Sequence, residues 1–241
     1  MKTAFSLTSA LALSMIVAAC SRAEPPSEKL RDSVETAING VAETVQTTEL
    51  QAGPYSPRNE CDALPGAKEF LASLGRAVEA RDADALITIT SPDVELDFGG
   101  GSGTSTLRDR LGDPDYKLWD ELAALQKLGC AASDDGSITL PWYFAQDMNL
   151  DDPYSAMLAL GERVPVRAKA SVDAEPIEFV AWDLVTLIND GYTEKPFLNV
   201  RTRAGREGWV AREDLRSIVD YRMLANRSEN GWRINFFVAG D

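Results

Sequence analysis

The chain contains no histidine. Imidazole is the side chain that titrates near neutrality, so its absence excludes a His general base, Ser-His-Asp and Cys-His nucleophile systems, and every His-containing metal site. Basic residues are scarce as well: 24 Lys and Arg stand against 38 Asp and Glu, a formal charge of −14. Binding a phosphate backbone depends on neutralising it with Lys and Arg, so nucleic acid is not an expected partner. Cysteine is limited to three positions. The full length of 241 residues leaves room for one or two ordinary domains with a real core.

The long apolar run is confined to the first twenty residues. Lys2 is followed by an apolar stretch from Ala4 to Val17 broken only by Ser and Thr, then by the small residues Ala18 and Ala19. This pattern predicts a secretory signal peptide over 1–19, too short and poorly flanked for a spanning helix. The sequence Val17-Ala18-Ala19-Cys20 resembles the lipobox of bacterial lipoproteins, which implies cleavage before Cys20 and a diacylglycerol thioether on its sulfur. Each buried methylene contributes about 0.8 kcal/mol, so two or more chains anchor a protein stably to a membrane. Ser21, in place of Asp, implies by the same resemblance an outer-membrane lipoprotein facing the periplasm. In that oxidising compartment Cys61 and Cys130 are either a disulfide pair or two buried thiols.

Residues 20–60 read as a lipid-anchored tether with a short helix. Leu30, Val34, Ile38, Val41 and Val45 recur at helical spacing, and Gly53, Pro54 and Pro57 mark a linker. From Cys61 a folded α+β domain is expected, over 61–160. Phe70, Leu71, Leu74, Ala77 and Val78 share a helix face, and Asp82 or Asp84 can cap a second helix with Ala85, Leu86 and Ile89. Val94 to Phe98 alternates as a half-buried strand, which puts Asp93, Glu95 and Asp97 on the other face, as a solvated surface or as an acid-base cluster. Gly99 to Gly103 is a glycine turn without dinucleotide-fingerprint or P-loop spacing. Leu118 to Leu128 makes another apolar helix face, and Ile138 to Phe144 is strand-like.

The order helix, helix, strand, glycine turn over 66–111 resembles the cone-shaped α+β fold of nuclear-transport-factor-2-like and SnoaL-like domains. Enzymes of that fold place an Asp with a His or Tyr in the cone; this chain has no His. Residues 162–219 resemble a bacterial SH3-like (SH3b) domain through Val164-Pro165-Val166-Arg167, the apolar run Ile177 to Leu187, Phe197 to Arg201, Gly208-Trp209-Val210 and Leu215-Arg216. The resemblance implies a small all-β barrel, with Ala170 departing from the Pro usual in its first loop. Residues 220–241 then read as a β-hairpin around Ser228 to Gly231. It is expected to return to the sheet begun at Val94, leaving the barrel as an insertion, with a tandem arrangement as the alternative.

The expected fold class is therefore α+β, a helix-and-sheet domain plus an SH3-like barrel. Residues 197–233 hold eight Arg and five acids, whereas residues 20–196 carry a net −17. Arg201, Arg203 and Arg206, with Trp209 and Trp182, are the candidate binding residues, either for cell-wall carboxylates or, in the case of the Arg residues, simply paired with the acidic domain. The expected function is non-enzymatic binding or scaffolding at the cell envelope, with peptidoglycan or an envelope protein as partner and neither cofactor nor metal. The alternative is a carboxylate-based enzyme or small-ligand binder in the cone, pairing Asp97 with Tyr143.

Overall fold

A computed structural model describes residues 52–188 and 195–240; Cys20, the signal segment and the Leu30 to Val45 stripe lie outside the described residues. Two helices open the described fold. α1 (Ala67–Glu79) buries Phe70, Leu74, Ala77 and Val78, the positions that share one face at 3.6 residues per turn. α2 (Ala83–Thr88) starts at Asp82, whose side chain accepts a hydrogen bond from Ala85 N at 3.0 Å, a cap worth about 1 kcal/mol. β1 (Thr90–Glu95) follows, then α3 (Gly103–Gly112) and α4 (Leu118–Lys127), which buries Leu118, Leu122 and Leu125.

β1 ends at Glu95, so the strand expected to reach Phe98 stops earlier; the Phe98 side chain is 57 % exposed. Its partner lies at the other end of the sequence. β11 (Arg222–Ser228) and β12 (Gly231–Val238) form an antiparallel hairpin; β12 pairs in parallel with β1, and β11 pairs with β3 (Ile138–Leu140). With the short β2 (Ala131–Ala132) the first sheet runs β1-β12-β11-β3-β2. Helices α1 to α4 cover it, and Phe70, Leu74, Leu122, Ile138, Met223 and Ile234 belong to one apolar core. The run after Leu140 is not strand: Trp142–Ala145 winds into a 3₁₀ turn beyond Pro141.

The second sheet comprises β4 (Ala156–Ala159), β5 (Val164–Arg167), β6 (Pro176–Val180), β7 (Leu184–Leu187), β8 (Phe197–Thr202), β9 (Glu207–Ala211) and β10 (Leu215–Ser217). Its order is β10-β4-β7-β8-β9-β5-β6, largely antiparallel, and the outer strands β6 and β10 are not neighbours. A closed barrel over 162–219 is thus not what the strands form. β4, which precedes Glu162, inserts between β10 and β7 and lengthens the sheet. β6 is instead held across the curl by side chains: Thr202 Oγ1 donates to Glu178 Oε2 at 3.0 Å and Arg206 Nη1 donates to the Ile177 carbonyl at 3.2 Å.

Both sheets fall in the single unit Glu49–Asp241, and β4 shows why. Met157 and Ala159 enter the core of the second sheet with Val166, Val200 and Val210, whereas Ala156 and Leu158 face a third apolar cluster with Leu128, Trp142, Tyr143 and Ile218. Alternation by two residues places the same strand in two cores. Residues 52–60 belong to this third cluster too, through Tyr55. They form a strap: Tyr55 N donates to the Trp182 carbonyl at 2.9 Å, Cys130 N to the Arg58 carbonyl at 2.7 Å, and Glu60 N to the Cys130 carbonyl at 2.8 Å. Gly53 sits so close to the Ala181 carbonyl that a Cβ there would overlap it. A linker composition has been recruited into the packed body.

Cys61 and Cys130 form a disulfide with Cα atoms 5.8 Å apart and a sequence separation of 69. It fastens the end of the strap to the start of β2. Closing a loop of this length contributes about 4 kcal/mol in the chain-entropy account. The double variant Cys61→Ser/Cys130→Ser is expected to lose about that much stability in urea unfolding followed by far-ultraviolet circular dichroism.

Candidate functional site

The glycine turn is organised from within. Asp97 Oδ1 accepts hydrogen bonds from Gly99 N and Gly101 N, both at 2.8 Å, and its other oxygen pairs with Arg110. The amides that a phosphate-cradling loop would offer to a ligand are spent on an internal carboxylate. Hydrogen bonding from Arg110, then from the Gly101 amide, holds the Asp97 carboxyl below its ordinary range. Of the two acids on β1 that precede it, Asp93 accepts from Ser91 Oγ and Glu95 is exposed.

Tyr143, the proposed partner of Asp97, has different company. It is buried to 2 % exposure in the third cluster, and burial pushes its phenol up to about 12. It faces an ionic group built by three segments. Arg216 on β10 is 8 % exposed; its Nη2 donates to Glu121 Oε2 on α4 at 3.0 Å and to the Tyr221 carbonyl at 3.2 Å, and its Nη1 lies 3.4 Å from Asp220 Oδ2. Burial, reinforced by the Asp220 charge, raises the Glu121 carboxyl above its ordinary value, although Arg216 pulls the other way. Among the described residues, Arg216 Nε and Trp142 Nε1 are the buried side-chain polar atoms with no hydrogen-bond partner.

The five predicted binding residues do not converge. Arg201 forms a double contact with Glu207 Oε1, at 3.1 and 2.7 Å. Arg203 pairs with Asp183 at 3.1 Å and donates to Tyr55 Oη at 2.9 Å, while Arg206 caps the Ile177 carbonyl. Two of the three Arg residues are therefore paired with acids of the same unit, and the third holds β6. Trp209 lies half-buried opposite Arg167 in the β5–β9 ladder. Trp182 lies in the break between β6 and β7, next to Asp183, the partner of Arg203, and its backbone adopts a positive φ of 42°. A non-glycine residue there costs about 1–3 kcal/mol and persists only when its surroundings hold it. Here Trp182 N donates to the Gly161 carbonyl at 2.8 Å and its own carbonyl accepts from the strap at Tyr55.

That conformation sets Trp182 on the wall of a cavity of about 430 Å³ between α4 and the second sheet. Ala123, Ala124, Leu128 and Leu160 supply the rest of its apolar wall, with Arg216, Lys127 and Asp120 as its polar members. Sequence reasoning named Trp182 but missed Arg216 as a site residue and missed α4 as a wall. A larger open groove of about 660 Å³ lies elsewhere, beside Lys117, Val172, Pro196, Phe197 and Arg212. Among the described residues no group of three or more Cys, Asp or Glu is placed to hold a metal ion, and no helix is long and apolar enough to cross a membrane. No family model, curated protein or solved structure matches the chain.

The ionic group makes a pH-dependent contribution with a definite sign. With its carboxyl raised in the folded state, Glu121 stabilises the fold most below its ordinary value near 4.5, and that contribution falls as pH rises toward the raised value. Relative to wild type, Glu121→Gln is expected to gain stability across that window, read from urea midpoints at closely spaced pH. Arg216→Met, which leaves Glu121 and Asp220 without their cation, is expected to cost about 3 kcal/mol at neutral pH in the same measurement.

Proposed function

We propose that the protein is a lipid-anchored, non-enzymatic binding or scaffolding module of the bacterial cell envelope, held at the outer membrane through Cys20 and facing the periplasm. The observation that carries the reading is the Cys61–Cys130 disulfide. Disulfides persist in exported compartments, and this pairing accounts for two of the three cysteines of the sequence; the third is Cys20, inside the lipobox-like Val17-Ala18-Ala19-Cys20. The absence of histidine and the engagement of Asp97 by Arg110 and the glycine turn both favour binding over catalysis.

The second sheet supports an SH3-like relationship in an opened form. Its β8–β9 hairpin carries Gly208-Trp209-Val210, the hairpin residue Arg206 reaches back to β6, and β4 and β10 lengthen the other end. The pairing of Arg201 with Glu207 and of Arg203 with Asp183 weakens the case for an Arg surface that grips peptidoglycan carboxylates. It favours an envelope protein or a small ligand as the partner.

Cells fed radiolabelled palmitate are expected to yield labelled wild-type protein in the membrane fraction. Cys20→Ser is expected to abolish the label and shift the chain to the soluble fraction. Unlabelled wild-type protein recovered from the cytoplasm defeats the reading.

A further inference from the structure

We propose that the cavity between α4 and the Leu160 to Trp182 side of the second sheet binds a medium-chain aliphatic carboxylate. This gives a ligand class to the binding reading above and rests on it only in treating the occupant as bound and not converted. Four features of the wall carry the inference. At about 430 Å³ the cavity lies within the range of small-ligand sites, roughly 300–1,000 Å³. Its walls are chiefly apolar, from Ala123, Ala124, Leu128, Leu160 and Trp182, which suits a methylene chain.

The third feature is the balance of donors and acceptors. Asp120, the one carboxylate of the wall, is engaged by Arg81 at 2.7 Å. Behind the wall, Glu121 and Asp220 are engaged by Arg216. Lys127, at the exposed end of α4, makes no ion pair among the described residues. Arg216 keeps one guanidinium donor, Nε, with no acceptor although the residue is more than nine-tenths buried. The one carboxylate of the wall is thus already paired with a cation, whereas Lys127 is not, so the unpaired charge at the cavity is positive. An oxygen-rich anionic head complements that pattern and an ammonium head does not.

The fourth feature is the fixed placement of Trp182. Its left-handed backbone is clamped by Gly161 and Tyr55, so the residue's position on the cavity wall is fixed before any ligand arrives. A preorganised aromatic wall lowers the ordering cost of binding. The carboxylate is expected toward Lys127, with the chain running along Trp182 and Leu160.

The test titrates the purified full chain with decanoate below its micelle concentration, following tryptophan fluorescence and heat. Saturable one-to-one binding is expected, tightening about threefold per added methylene from octanoate to decanoate. Decyltrimethylammonium is expected neither to bind nor to compete. Lys127→Met, at an exposed position, is expected to weaken decanoate about fivefold, a partly screened charge contact. Ala124→Trp is expected to fill the cavity and weaken it more than tenfold with the thermal midpoint preserved. Absence of saturation, equal binding of the ammonium analogue, or unchanged affinity in both variants overturns the assignment. Failure here leaves the palmitate labelling of Cys20 untouched. Decanoate recovered chemically altered would instead sink the non-enzymatic reading and keep the cavity.

Discussion

The buried Arg216 guanidinium is the constraint around which this body is arranged. It leaves β10 of the second sheet, meets Glu121 on a helix of the first layer, and reaches Asp220 and the Tyr221 carbonyl in the segment that leads into β11. A cation with so little exposure is tolerable only while its partners stay in place, because stripping water from a charge costs several kcal/mol that the partners must return. The register of β10 against β4, the position of α4 and the entry to the C-terminal hairpin therefore cannot be varied independently. Tyr143 is part of the same compromise: a phenol held neutral beside a guanidinium adds polarity without adding charge.

Apolar packing makes that ionic arrangement worthwhile. The third cluster lies between the sheets and draws on the strap, β2, the 3₁₀ turn after Pro141, β4, β7 and Ile218. β4 joins it to the core of the second sheet by alternation alone, and the strap closes it from outside, tied at one end to Trp182 and at the other through Cys130. The disulfide is thus placed where it limits unravelling of a segment with no strand or long helix of its own.

How legible this was depends on how many faces of an element are buried. α1 and α4 each bury one face, and Phe70, Leu74, Ala77 and Val78, or Leu118, Leu122 and Leu125, announce it at helical spacing. β4 buries both faces, so Ala156 to Ala159 shows no alternation and gives no strand signal. The run Ile177 to Leu187 reads as one strand because the positive φ of Trp182, which divides it into β6 and β7, is imposed by the strap and by Gly161 from outside. Residues 52–60 read as a linker because Gly53, Pro54 and Pro57 are turn formers in isolation; close approach to Ala181 requires the same glycine. Among the eight Arg residues of 197–233, nothing in the sequence distinguishes the buried Arg216 from the exposed Arg201, since burial of a charge depends on partners 95 residues away in α4.

The same point bears on the charge asymmetry along the chain. An Arg-rich segment next to an acidic one invites an outward-facing basic surface, and screening makes that surface meaningful only if the charges are not already paired at close range. Arg201, Arg203 and Arg216 pair with acids of the folded body, and Arg110 and Arg81 do so on the helical side. Internal pairing absorbs much of the basic charge, so a region read as cationic from sequence is locally compensated in space. What would distinguish a recognition site in such a protein is not the density of Arg but a cation left unpaired at an apolar wall, and Lys127 beside Leu128 and Trp182 meets that description.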